Sequence, residues 1–312
     1  LNKDFQIAPN VTLKYLPQKN RSLLFNYRNW ASMPSVYNLV EVASGTNPLY
    51  VHIGNPNLKP VLVHNLNLTY NFSDLKTQSS LTIDATGRFE QGKISDMATY
   101  DPESGSRVTR PENVDGNWRA NLSVVYNKTF NDSRWSLSNH LNGEFQNNMS
   151  YLYDSKLKEA QLNHSSRFMV KERFDGYFRN SWLESDLTLR VDYTNEKSEL
   201  RPDMNQEPTN FSAGLSNTFT LPWKMRLNIE YIYMLQRGWS YEELNRDYHI
   251  INASIAQPIL KNKATIKLEA EDALGQLINL TRNFGAQSRS VVTYNGIDRY
   301  LMLRFIYRFT VK

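Results

Sequence analysis

The sequence predicts an all-β fold of one kind: a transmembrane antiparallel up-and-down β-barrel wall, about 13 strands in residues 1–312. Three observations carry that reading. Apolar and polar residues alternate along most of the chain, the alternating runs are long enough to cross a bilayer, and the connections between them alternate short and long. Composition agrees. Aromatic residues make up 12%, with 18 Tyr, 14 Phe and 6 Trp among 312 residues, yet the mean hydropathy is -0.57, so the apolar residues are plentiful but dispersed. With no cysteine there is no disulfide framework, thiolate metal site or cysteine nucleophile. No apolar run approaches the roughly 20 residues of a membrane helix. The formal charge of +5 is spread without basic blocks, which argues against nucleic acid as a partner. The first ten residues have neither a basic stretch nor an apolar one, so no signal peptide is expected in them.

The strands follow in order. Phe5, Ile7, Pro9, Val11, Leu13 and Tyr15 share one face, with Gln6, Ala8, Asn10, Thr12 and Lys14 on the other. Leu66, Leu68, Tyr70 and Phe72 alternate with Asn65, Asn67, Thr69 and Asn71. Leu81, Ile83, Ala85 and Phe89 alternate with Thr82, Asp84, Thr86 and Arg88. Trp118 to Tyr126, Leu187 to Tyr193 and Met225 to Tyr233 repeat the pattern, and Leu301, Leu303, Phe305, Tyr307 and Phe309 close it. The polar faces carry Asn, Arg, Lys, Asp and Glu, which are poor strand formers and costly in a dry core. They suit a wet lumen behind a wall whose other face meets lipid. Run lengths match the 9–11 residues or so of a tilted membrane strand. Aromatics gather at strand ends, at Tyr15, Tyr70, Phe72, Tyr126, Phe130, Phe219, Trp223, Tyr307 and Phe309, as an interfacial girdle requires. A soluble β-sandwich shares the alternation but not the girdle.

Short connections are expected near 17–19, 74–77, 131–133, 174–177, 221–223 and 258–263. Long ones are expected near 32–60, 93–117, 151–159, 197–208, 240–247 and 273–298. Short turns facing the periplasm and long loops facing outward are the habit of outer-membrane barrels. Six of each imply about thirteen strands. That odd number does not suit an even-stranded single-chain barrel.

Asn-x-Ser/Thr triplets recur along the chain, and those starting at Asn10, Asn67, Asn71, Asn121, Asn127, Asn163, Asn210 and Asn252 read as pairs of small polar residues on a luminal strand face rather than as glycosylation acceptors. His52, His64, His140, His164 and His249 show no metal-ligand spacing, and no cofactor is implied. His140 is the best candidate for a barrel enzyme, and none of the motifs of a nucleophile surrounds it. Two external loops offer ligand-binding side chains: Tyr100, Arg107 and Arg110 in a mixed-charge loop, and Trp239 and Tyr241 in a loop suited to stacking.

The stretch from Leu23 to Phe72 resembles the barrel of TonB-dependent outer-membrane receptors, in the variant typical of Bacteroidetes. In that family an Arg-Pro-Ser/Thr loop precedes a Gly-Asn-Pro-x-Leu-Lys/Arg-Pro segment. Here Gly54-Asn55-Pro56-Asn57-Leu58-Lys59-Pro60 matches throughout, and Pro34-Ser35 matches with Met33 in place of Arg. Residues 299–309 resemble the family's terminal strand, although Thr310, Val311 and Lys312 follow the usual final aromatic, and Ala270 to Leu274 resemble the end of the strand before it. The resemblance implies a barrel of about 22 strands, of which this chain would be the C-terminal portion, with the plug domain and early strands elsewhere. It also implies outer-membrane lipid, the rest of the receptor, the TonB complex acting through that plug, and a surface lipoprotein as partners, in nutrient uptake at a bacterial outer membrane. The motif itself reads as a loop-shaping element, since two prolines fix φ and remove donors. A complete passive porin and an outer-membrane enzyme remain open alternatives.

Overall fold

The computed structural model describes residues 7–43, 47–100, 103–130, 133–154, 159–276, 280–284, 289–293, 297 and 299–309. In chain order the strands are β1 (Asn10–Gln18), β2 (Arg21–Ser32), β3 (Tyr50–His52), β4 (Val61–Asp74), β5 (Ser79–Gln91), β6 (Lys93–Tyr100), β7 (Arg107–Val114), β8 (Asn117–Phe130) and β9 (Trp135–Asp154). They continue with β10 (Glu159–Arg179), β11 (Leu183–Ser198), β12 (Thr209–Thr220), β13 (Arg226–Arg237), β14 (Asp247–Ile259), β15 (Ala264–Glu271), β16 (Leu280–Phe284), β17 (Arg289–Thr293) and β18 (Tyr300–Tyr307). One helical turn, α1 (Val36–Leu39), precedes β3. No helix among the described residues is long and apolar enough to cross a membrane.

Thirteen strands form one antiparallel sheet in the order β1-β2-β4-β5-β8-β9-β10-β11-β12-β13-β14-β15-β18. The count expected from the loop pattern is therefore met. The sheet is open, with β1 and β18 as its two edges among the described residues. Register keeps the two faces apart. Asn26, Asn67, Thr86, Asn121 and Glu144 stand opposite one another across five successive strands. One residue along, Phe25, Leu68, Ala85, Leu122, Gly143 and Val170 form the adjacent row on the other face. A slip of one residue in any pair would swap these rows. The polar face is tied together across strands, with Thr69 Oγ1 donating to Asp84 at 2.6 Å, Thr188 Oγ1 to Asp175 at 2.8 Å and Asn252 Nδ2 to Glu230 at 2.7 Å. The triplets at Asn10, Asn67, Asn71, Asn121, Asn127, Asn163, Asn210 and Asn252 lie within strands of this sheet, whereas that at Asn20 begins in the turn before β2. The apolar face leaves Leu122, Phe168, Leu187, Leu215, Ile229 and Ile255 exposed, as a wall against lipid requires.

The structure corrects several connections. The turn expected at 174–177 is strand: Gly176 pairs with Leu137 on one side and Leu187 on the other. The chain turns instead at Asn180, whose Oδ1 accepts the amides of Trp182 and Leu183 at 2.9 and 2.7 Å. Asp-Gly is a turn signal only where the ladder lets go, and here it does not. The connection expected over 151–159 is mostly strand, because β9 and β10 run for 20 and 21 residues and overshoot their neighbours. The stretch 93–117 is a hairpin, β6–β7, rather than a loop, and 273–298 contains the hairpin β16–β17. The first strand begins at Asn10, so Ile7 and Pro9 precede it and Phe5 lies outside the described residues. In the other direction, β1 leads into a short turn and β18 follows a long connection, so both run toward the short-turn end.

The two faces predict opposite responses to the same substitution. Leu122→Arg on the apolar face is expected to lower the unfolding free energy by roughly 2–4 kcal/mol in a bilayer. Asn121→Arg on the polar face, opposite Glu144, is expected to leave it nearly unchanged. Urea titration of both variants folded into vesicles measures the difference. Asn180→Ala, which strips two turn amides of their acceptor, is expected to cost about 1 kcal/mol in the same assay.

Candidate functional site

The long-connection end carries a folded roof rather than loose loops. After β2, Ser35 caps α1, its Oγ accepting the Asn38 amide at 3.2 Å. The chain returns as β3, which pairs in parallel with β7, and β7 pairs with β6, giving a separate sheet in the order β3-β7-β6. Ser95 of β6 accepts the Tyr151 amide at 3.1 Å, which ties this sheet to the overshooting part of β9.

The Gly-Asn-Pro segment straps the roof to the wall. A Cβ at Gly54 would lie 2.4 Å from the Val40 carbonyl oxygen and 2.9 Å from that of Asn38, so only glycine fits beneath α1. The Gly54 amide donates to Val40 O at 3.2 Å, and that of Asn55 to Asn38 O at 2.6 Å. Asn55, buried, donates through Nδ2 to Pro111 O at 3.1 Å and accepts the Asn57 amide at 3.0 Å. Leu58 is buried, while Pro56 and Lys59 are exposed and Pro60 is half-buried as the chain enters β4. Asn113 completes the strap: Oδ1 accepts the Lys59 amide at 2.8 Å, and Nδ2 donates to the carbonyls of Lys59 and Gly92 at 3.1 and 2.6 Å. Asn113 was not singled out in the sequence, where it is one asparagine among many and its partners lie 21 and 54 residues away.

Two clefts open beside β6. One, of about 560 Å³, is lined by Tyr37, Tyr50, His52, Asp96, Arg107 and Thr109. Tyr37 stacks on His52 with centroids 4.1 Å apart and planes 11° from parallel. The other, of about 650 Å³, lies between β6 and β9 and includes Asp96, Tyr100, Arg107, Asn148, Tyr153 and Arg201. Tyr100 and Tyr153 are 4.5 Å apart between centroids, and the Arg107 guanidinium carbon is 5.9 Å from the centre of the Tyr100 ring. Asp203 grips Arg201 with two bonds of 3.1 Å. That hydrogen bonding raises the Arg201 pKa further, so it is a fixed cation. The arrangement suits a polar ligand, with rings to stack against its flat faces and Arg107, Arg201 and Asp96 to engage charged groups or hydroxyls.

Of the loop residues singled out, Tyr100 and Arg107 meet in one cleft. Arg110 lines neither and faces Glu41 and Glu112 at 3.7 and 3.6 Å. Trp239 and Tyr241 also line neither. The Trp239 indole donates to Asn210 at 3.0 Å, and its backbone exchanges bonds with Asn245, so it braces its own loop. Tyr241 is exposed. Tyr37, Tyr50 and Tyr153 were missed because nothing local separates them from girdle tyrosines. Only the return of β3 and the overshoot of β9 place them at the mouth.

His140 does sit 2.9 Å from a hydroxyl, that of Ser138. The Ser138 proton is committed to Asn127 Oδ1 at 2.7 Å, so His140 Nε2 is left to donate rather than accept. A general base needs the reverse. Among the described residues no group of three His, Asp or Glu side chains could hold a metal ion.

Gly54→Val is expected to push α1 and the strap apart. Its signature would be faster amide exchange at Asn55 and Leu58 and protease cleavage within 33–60, with the sheet's own protection retained. Asn113→Ala is expected to give the same pattern at Lys59 and Gly92.

The family model described as an outer membrane protein beta-barrel family matches residues 2–307. A comparison with curated proteins finds no match. Among solved structures, the FrpB iron transporter from Neisseria meningitidis is similar at 10% identity and a TM-score of 0.50, over 81% of this chain and 43% of that one. The ferric-catecholate import receptor Fiu from E. coli K12 aligns at 8% identity and a TM-score of 0.40, over 84% of this chain and 51% of that one. The chain thus spans about half the length of these structures. With the thirteen-stranded sheet, its lipid-suited outer face and a match over nearly its whole length, the chain belongs to the outer membrane protein beta-barrel family and resides in the bacterial outer membrane.

Proposed function

We propose that this chain is the wall and external roof of a TonB-dependent nutrient receptor, an active transporter. The observation that carries the reading is the roof: two long connections fold into one small sheet, strapped to the wall, whose clefts gather Tyr100, Arg107, Tyr153 and Arg201 at the outer mouth. A passive pore has no use for such a built receptor surface. The open sheet supports the same reading. Unpaired backbone groups along β1 and β18 would each cost several kcal/mol in lipid, so further strands of the same receptor lie against both edges, and a plug fills the lumen. The similarity to the FrpB iron transporter points the same way. On this reading the ligand lands in the clefts, Trp239, Tyr241 and Arg110 form the outer rim, a surface lipoprotein can cover the mouth, and the TonB complex acts through the plug.

Uptake by cells limited in turn for iron, cobalamin, a glycan or peptide tests the proposal. In one of these regimes Tyr100→Ala with Arg107→Ala is expected to raise the half-saturating nutrient concentration about tenfold, about 1.4 kcal/mol of binding, at unchanged surface abundance. A protonophore is expected to stop accumulation by the unaltered protein. Uptake that persists under protonophore and does not saturate would replace the receptor with a passive channel.

A further inference from the structure

The end of the wall away from the roof carries a second surface. Every short turn holds or adjoins a cation. Lys19, Lys76, Arg134, Lys224 and Lys261 belong to five of them, and Arg179 precedes the sixth. All are exposed. Arg179 and Arg226 share Glu184, at 3.6 and 3.2 Å. The other five turn cations, and Lys263 beside Lys261, have no ion pair among the described residues. Asp74, at the second of these turns, accepts the Lys76 amide at 2.9 Å and the Thr77 hydroxyl at 3.0 Å and also interacts with the Lys76 charge, so the cations least compensated are Lys19, Arg134, Lys224, Lys261 and Lys263.

Tryptophan shares these positions. Trp135 follows Arg134, Trp182 lies three residues after Arg179, and Trp223 precedes Lys224, so three successive turns each pair an indole with a cation. All three indoles are exposed. Behind them stand further rings of the girdle, Trp135 against Phe178 at 4.4 Å and Trp182 against Phe219 at 6.3 Å. An exposed indole at the end of an apolar wall sits at headgroup depth, one edge dry and its N–H wet. Neighbouring turns are two strands apart, about 10 Å, so gaps the size of a headgroup along the rim are flanked by cations.

We propose that this basic, tryptophan-bearing rim seats the headgroups of net-anionic phospholipids in the leaflet that the short turns face. A zwitterionic headgroup brings its own ammonium and would meet a rim already positive. A net-anionic one supplies the counter-charge the rim lacks, and near-surface cations contribute favourably to such lipids. The seat anchors the height and tilt of the wall at the end opposite the ligand clefts, and it is independent of what those clefts bind.

Tryptophan quenching tests it. The protein is reconstituted in phosphatidylcholine vesicles containing either brominated phosphatidylglycerol or brominated phosphatidylcholine, and the relative binding constant of the two is read from the loss of fluorescence. The expected result is a preference for phosphatidylglycerol of about fivefold or more, falling to within about twofold of parity in Arg134→Gln/Lys224→Gln/Lys261→Gln. It should also collapse at about 1 M salt, where the Debye length is roughly 3 Å. Equal constants for the two lipids, or a preference indifferent to salt, would overturn the proposal. So would abolition of the preference by millimolar inorganic phosphate, which would mark a small-ion site. Should the triple variant fail to insert, the salt titration of the unaltered protein decides alone.

Discussion

In the hydrocarbon of a bilayer no water stands ready to pair with a backbone N–H or C=O, so each must find its partner inside the protein. Nearly everything else in this structure follows from that demand. It forces long strands and antiparallel pairing between successive neighbours, and it makes register the quantity that must not slip. Because side chains alternate with a period of two, one register decision across twelve strand pairs places Leu122 against lipid and Asn121 against the lumen together with all their rows. The polar row is then satisfied by its own cross-strand bonds, such as Thr69 to Asp84, and the apolar row by lipid.

The same demand relaxes where the strands leave the membrane, and that is where the chain does something individual. β9 and β10 continue beyond their neighbours and give β6 a flank to lean on. At the long-connection end, the strap of Gly54, Asn55 and Asn113 fastens α1, β3 and β7 to the wall through backbone bonds and the side chains of Asn55 and Asn113. For the proposed receptor, rigid attachment matters because side chains on a fixed frame lose less freedom when a ligand arrives. The other end is built differently, with tight turns, exposed cations and exposed indoles. One wall therefore presents a sculpted polar mouth on one side and a simple charged rim on the other.

Legibility followed the range of the interactions. Alternation is local, so seven strands and the faces of their residues could be read directly, while the total of thirteen came from the count of short and long connections. Turns were readable where a turn residue acts alone. At Asp175-Gly176 the local signal pointed to a turn, but two neighbouring strands hold those residues in the ladder, and Asn180 reverses the chain instead. The Gly-Asn-Pro motif was recognisable as a loop-shaping element. Its reason, a glycine lying against the carbonyl of Val40, involves a contact no spacing rule encodes.

The site was readable only in fragments. Tyr100 and Arg107 stood out as ring and charge in one external stretch, whereas Trp239 turned out to brace its own loop. By itself the sequence determined the class of fold and the two faces of its strands, because a period-two pattern is imposed residue by residue by the surroundings on each side of the sheet, and the aromatic girdle, the loop lengths and the resemblance added the membrane. Only the tertiary structure decided what covers the mouth and which side chains meet there. Those contacts join segments tens of residues apart, such as Asn113 with Lys59 and Tyr100 with Tyr153, and their geometry depends on strand overshoot and a parallel pairing that local chemistry does not specify.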